Sequence, residues 1–211
     1  MTQLDIYNGA LATLGHDQDV KTLTDNTTVR RWCDRFYVQD RQELLREIAP
    51  QWAREYSDLG LGDAVVDNDE WAYYFQLPTG LLKLIQVCDL SGIKVPFKLF
   101  KNYLYSNSEN VRIECIMDVT DTTIFDPLFI RALMCKMAVD IALPLTGKEA
   151  IRNQVLKELS VYITDARNMD GQDSREIGVP ADPNWWANCR GAKFNPGMGT
   201  ADGTYFPGSH P

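Results

Sequence analysis

Residues 124–147, IFDPLFIRALMCKMAVDIALPLTG, place apolar side chains on nearly every face of a helical wheel. A helix that is apolar all round must be enclosed, either by protein or by lipid. Arg131, Lys136 and Asp140 interrupt the stretch, and its length falls just short of a membrane span. The pattern therefore predicts a helix surrounded by other helices, running over 127–143. Asp126 stands where an N-cap is needed, and Pro127 occupies the first turn, where a missing N–H is tolerated. Lys136 and Asp140 are four residues apart and can pair. Arg131 lies on another face, near the helix start, where a positive charge is unfavourable. It calls for an acidic partner, within the chain or across an interface between copies.

Pro144-Leu145-Thr146-Gly147 closes this helix, and Thr146-Gly147-Lys148-Glu149 has the form of a capping box for the next one. Behind it Ile151, Val155, Leu159, Tyr162 and Ala166 form an amphipathic stripe over 147–169. So short a connection demands an antiparallel helical hairpin. Two further helices precede it. Thr2-Gln3-Leu4-Asp5 resembles a capping box, and Leu4, Tyr7, Leu11 and Leu14 follow at helical spacing up to Gly15. A long helix over 26–49 has N-cap candidates at Asp25 to Thr27 and a stripe of Val29, Trp32, Cys33, Phe36, Leu44 and Ile48. Pro50 terminates it. Its Arg30, Arg31, Arg35, Arg41 and Arg46 alternate with Asp34, Asp40, Glu43 and Glu47, which predicts an (i, i+4) network on a solvated or subunit-facing side.

The periodicity changes in the middle of the chain. After the acidic, glycine-bearing loop SDLGLGDAVVDNDE, residues Trp71, Tyr73, Phe75 and Leu77 alternate, and LLKLIQVC follows the turn at Pro78-Thr79-Gly80. Val95, Phe97 and Leu99 alternate next, then Tyr103 and Tyr105, and after SNSEN come Val111, Ile113, Cys115, Met117 and Val119. Period-two alternation between turns predicts three to five antiparallel strands over 71–119. The fold class is thus α+β: a helical bundle, made of a long helix and a C-terminal helical hairpin, with a small antiparallel sheet inserted. Residues 1–57 and 120–170 form the helical domain and 71–119 the inserted domain.

Residues 171–211 hold seven of the fourteen glycines and five of the ten prolines, so regular structure is not expected there. Yet they carry Trp185, Trp186, Phe194, Tyr205 and Phe206, whereas disordered linkers are poor in aromatics. This composition predicts an extended docking tail. Those five aromatics, together with Arg131, are the residues expected at interfaces.

Sites of chemistry are not marked. The two histidines, His16 and His210, have neither a nucleophile nor a ligand cluster beside them. The acidic run Asp58, Asp63, Asp67, Asp69 and Glu70 lacks the spacing of a calcium loop and is expected to be a solvated loop. The glycines of NPGMGTADG and DLGLGD lack the strand and helix that a phosphate cradle needs. Five cysteines, Cys33, Cys88, Cys115, Cys135 and Cys189, lie far apart and are expected as reduced thiols filling core space. No catalytic residue, cofactor or metal is predicted. A formal net charge of −8 opposes a general grip on nucleic acid. The start has no basic n-region of a secretory signal, which fits synthesis in the cytoplasm.

The order of segments carries a resemblance. LDIYNGALATLG, RRWCDRFYVQDRQELLREIAPQWARE, YYFQLPTGLLKLIQV and VTDTTIFDPLFIRALMCKMAVDIALPLTGKEAIRNQVLKELSVYITDAR together resemble the tail tubular protein A family, the head-to-tail adaptors of short-tailed bacteriophages. The resemblance spans about residues 4–170, and the block from Phe125-Asp126-Pro127 to Pro144-Leu145-Thr146-Gly147 is its most specific part. It implies a structural virion protein made in the host bacterium and located at the head–tail interface. Its copies, commonly twelve, form a ring under the portal protein, carry a tail nozzle resembling tail tubular protein B, and continue the DNA ejection channel. The acidic balance suits a conduit, since tight phosphate binding would arrest the passing genome. No membrane partner is implied. Two other readings remain open from the residues: a carbohydrate-active hydrolase of the tail, using a pair of carboxylates that position does not single out, and a monomeric helical interaction or scaffolding domain.

Overall fold

The computed structural model describes residues 1–17, 19–65 and 70–173. The described residues have a mixed α+β fold with four α-helices and two small antiparallel sheets. Helices α1 (Gln3–Thr13) and α2 (Thr28–Ile48) come first. Strands β1 (Arg54–Leu61), β2 (Asp63–Ala64), β3 (Tyr73–Gln76), β4 (Leu81–Cys88), β5 (Phe97–Phe100), β6 (Tyr103–Ser106) and β7 (Asn110–Met117) follow. Helices α3 (Pro127–Thr146) and α4 (Glu149–Asp173) close the described chain.

Local chemistry sets the helix ends. Thr2 and Asp5 form the capping box of α1 reciprocally, and Thr27 caps α2 by accepting from the Arg30 amide. Asp126 accepts from the amides of Leu128 and Phe129, with Pro127 at the first position of α3. Helix α3 runs past Pro144 to Thr146, three residues further than the sequence suggests. A proline in the last turn removes one N–H without disturbing the rest of the ladder, and the real stop is Gly147, at φ 65°. Thr146 donates to the Ala142 carbonyl and accepts from the Lys148 amide, bridging the end of α3 to the two-residue connection.

Helix α3 is the centre of the molecule. Phe129, Ala132, Leu133, Met137, Ala138, Ile141 and Ala142 have almost no exposed surface, and α1, α2 and α4 all pack on it. Arg131 lies against Tyr162, and Asp126 lines a hollow with Ala166 and Asp170, so α4 runs back along α3. Trp52, Phe125 and Phe129 meet at ring-centroid distances of 5.0–5.2 Å and seal the end of this core nearest the sheets. Tyr7 ties α1 to α2: it donates to Asp34 at 2.8 Å and accepts from Gln3 at 2.6 Å.

Five strands, β3 to β7, lie within 71–119 as expected, and two more, β1 and β2, precede them, because the first half of the acidic, glycine-bearing loop is strand. Residues 54–61 form β1, whose Arg54 to Asp58 pair antiparallel with Ile116 to Arg112 of β7. Strand order is β1-β7-β4 in one sheet and β2-β3-β6-β5 in the other. The chain changes sheets at Gly62. A Cβ there would lie 2.6 Å from the Phe75 ring, so only glycine lets the backbone pass. Phe75, Val87, Leu104, Val111, Ile113 and Cys115 form a second apolar core between the sheets. On β7 the alternation ends at Ile116, which turns into the helical core instead and couples the two.

Candidate functional site: a buried acidic seam and an exposed sheet edge

The (i, i+4) network expected along α2, on a solvated or subunit-facing side, is reduced to one pair. Only Arg30 and Asp34 pair in that way within the helix. Arg41, 5% exposed, instead reaches Asp118 beyond the end of β7, with Nε and Nη2 at 2.9–3.2 Å from the carboxylate. Gln42 donates to the same carboxylate at 2.8 Å. Glu47 pairs with Arg167 of α4 at 3.1 Å, and Glu43 with Lys136 of α3 at 3.0 Å. These residues tie α2 to other elements, because the helix is covered on more sides than its apolar stripe implies.

Between α2 and α3 lies the most unusual polar group. Asp40 is completely buried, and neither carboxylate oxygen has a hydrogen-bond donor among the described residues. The neighbour within hydrogen-bonding reach is a second carboxylate, Asp140. Two carboxyl groups can bond only when one holds a proton. Burial first, and Asp140 second, push Asp40 up to about 8. Lys136 lies 3.7 Å from Asp140 and moderates the seam, while hydrogen bonds from Gln39 and Lys136 hold Glu43 below the usual carboxylate range. The pairing of Lys136 with Asp140 foreseen from spacing is present, with Glu43 as the closer partner.

Arg131 is exposed on α3. Its guanidinium sits 6.0 Å from the Tyr162 ring centroid, in a shallow depression that Glu158 also lines. Trp185, Trp186, Phe194, Tyr205 and Phe206 lie outside the described residues, as do His210 and Cys189. Cys33, Cys88, Cys115 and Cys135 are buried free thiols. Burial pushes Cys33 up to about 12 and Cys135 to about 11. The acidic run is solvent-exposed at Asp58, Asp63 and Glu70 as expected, but Asp58 and Asp63 stand on strands rather than in a loop, with Asp58 paired to Arg112 at 2.5 Å and Glu70 to Lys98 at 3.3 Å; Asp67 and Asp69 lie outside the described residues.

No three histidine, cysteine or carboxylate side chains gather as a metal site would need among the described residues. No helix among them is long and apolar enough to cross a membrane. The hollow between Pro50, Trp52, Asp126 and Asp170 holds about 40 Å³, room for water rather than a substrate.

The sheets leave much apolar surface in solvent. Tyr56 (66%) and Leu61 (71%) project from β1, and Leu90, Ile93, Phe97, Leu99 and Phe100 are all exposed around β5. On the outer face of β3 and β6, Tyr74 packs edge-on against Tyr103 at 5.6 Å and tilted against Tyr105 at 6.2 Å. Of these residues the alternation marks Phe97, Leu99, Tyr103 and Tyr105 as strand, without separating buried from exposed faces. A signal was present: the span 90–108 has three lysines and no acidic residue in an acidic chain. Neither a protein-family model nor a curated protein matches the sequence.

Proposed function

We propose that this chain is a structural virion protein, a head-to-tail adaptor whose copies form a ring between the portal and the tail nozzle and continue the DNA ejection channel. The reading starts from the order of segments that resembles the tail tubular protein A family. The observation that supports it most is the exposed apolar surface concentrated on the sheets, from Tyr56 and Leu61 to Phe97, Leu99 and Phe100. Surface of this kind, rimmed by charge, is what an assembling subunit presents to neighbours. The net charge of −8 supports a lumen that a duplex passes without being held.

In this reading the helices are a bundle whose sides meet neighbouring copies, the inserted sheets project along the axis towards the nozzle, and residues 171–211 are an extended tail that docks on the portal or on the next copy. The role is mechanical, with no catalytic step. Imaging particles that carry a tagged copy of the chain tests the proposal. Density for the tag in a ring between capsid and tail is the expected result, and a label dispersed over the capsid or absent from the particle defeats it.

A further inference from the structure

Among the described residues, strand β5 is an outer strand of its sheet and pairs only with β6. All four of its residues are exposed, and Phe97, Leu99 and Phe100 offer apolar side chains on both faces of the strand. Open edges of this kind are templates for another strand. Lys98 lies in the middle of β5, Lys94 precedes it, and Lys101 follows with its ammonium 5.4 Å from the Phe100 ring centroid. Glu70 pairs with Lys98 at 3.3 Å, so the edge is apolar and net basic through Lys94 and Lys101.

The other sheet has an outer strand of opposite character. Among the described residues, strand β1 pairs only with β7, exposes Tyr56 and Leu61, and carries exposed carboxylates at Glu55 and Asp58. A β5 edge cannot lie comfortably against another β5 edge, because that sets lysine against lysine. Against β1 it meets Tyr56, Leu61 and the Glu55 carboxylate, beside Asp58, which Arg112 of β7 already pairs within the chain. We propose that the β5 edge of one copy pairs with the β1 edge of a second copy. The two surfaces differ, so the contact is heterologous and propagates from copy to copy until it closes. The inference deepens the ring reading by naming the strands at which copies meet.

The test uses the full chain. Equal amounts of ¹⁴N and ¹⁵N protein are mixed, treated with a zero-length carbodiimide, digested and mapped. Mixed-isotope links from Lys98 or Lys101 to Glu55 or Asp58 are expected, with the within-copy link from Lys98 to Glu70 as the internal control. In sedimentation at rising concentration, Lys98→Glu with Lys101→Glu weakens self-association about tenfold or more, and adding Glu55→Lys restores part of it. Circular dichroism of these surface variants stays native. If copies assemble but charge reversal has no effect and mixed links map to the helices, the edge pairing is wrong and the ring reading survives. If the native chain forms neither links nor assemblies at any concentration, the edge pairing is wrong, and the ring reading then stands or falls on the imaging of particles.

Discussion

Arg41 holds Asp118 through three hydrogen bonds across 77 residues of sequence, fastening the middle of α2 to the segment that leaves β7. The guanidinium also lies 5.4 Å from the Tyr37 ring centroid, so both its plane and its edge are occupied. Removing one partner leaves a buried charge without compensation, which typically costs about 3–5 kcal/mol. Asp118→Ala and Arg41→Met are each expected to destabilise by roughly 3 kcal/mol, and the double variant by clearly less than the sum. Urea denaturation of the four proteins measures this, and additive losses would show that the pair does not couple the helices to the sheet.

The buried Asp40 predicts an unusual pH dependence. Its pKa is raised in the folded chain to about 8, above the ordinary carboxylate value of the unfolded chain. Between roughly pH 4 and 8 the native state holds the proton that the unfolded state releases, so this group makes stability fall as pH rises through that window. Carboxylates such as Asp58 and Glu43, lowered by Arg112 in the first case and by Gln39 and Lys136 in the second, act with the opposite sign at the acid end. Asp40→Asn is expected to raise the melting temperature at pH 8 by several degrees, with little change near pH 4. An equal shift at both pH values would mean that the effect is not the titration of Asp40.

The legible parts of the fold were those set by local rules. Caps at Thr2, Thr27 and Asp126, the enclosed helix α3 and the alternation of β7 all follow from spacing that a single element fixes by itself. Strand β1 was missed because glycine and aspartate suit loops, whereas here they stand on a strand that changes sheets at Gly62, and only the three-dimensional position of Phe75 reveals the need. Asp40 and Arg41 read as ordinary surface charges for a similar reason. Their partners, Asp140 and Asp118, are about a hundred and 77 residues away respectively, and no periodicity within α2 points to them. The sheet edges were hidden too, because alternation shows that a strand has two faces without showing which neighbour is missing.

The thiols give a chemical check on the core. Cys33 and Cys135 are buried on α2 and α3, and burial raises both well above neutrality, so the reactive thiolate is scarce as well as inaccessible. Iodoacetamide at pH 7.5 is expected to leave both unmodified in the native protein and to alkylate both in guanidinium. Peptide mapping by mass spectrometry reads the result, and rapid native labelling of Cys33 would show that α2 does not pack as described.

Helix α2 ends in a strained residue. Ala49 adopts φ 54°, the left-handed conformation that usually selects glycine, and its amide donates to the Leu45 carbonyl. A side chain in that region costs about 1 kcal/mol relative to glycine. Ala49→Gly gives up a small apolar contact with the core and is expected to gain about 0.5–1 kcal/mol on balance. Thermal denaturation decides the sign, and a loss of stability would mean that the methyl contact outweighs the relieved strain.

The division of the chain predicts what truncation does. Residues Met1–Ser174 form one compact unit that contains both apolar cores. Every buried contact named in α1 to α4 and in the sheets lies within this unit. A chain that stops at Ser174 is therefore expected to melt within about a degree of the full protein, since it keeps both cores and every buried contact named above. In the proposed role the same truncation deprives the chain of Trp185, Trp186, Phe194, Tyr205 and Phe206, the aromatic anchors of its docking tail. Particles made with the truncated chain should lack a stably mounted adaptor although the protein is present and folded in the lysate. Normal particles would remove docking from the tail's role, whereas a truncated chain that fails to fold would show that the tail contributes to the core.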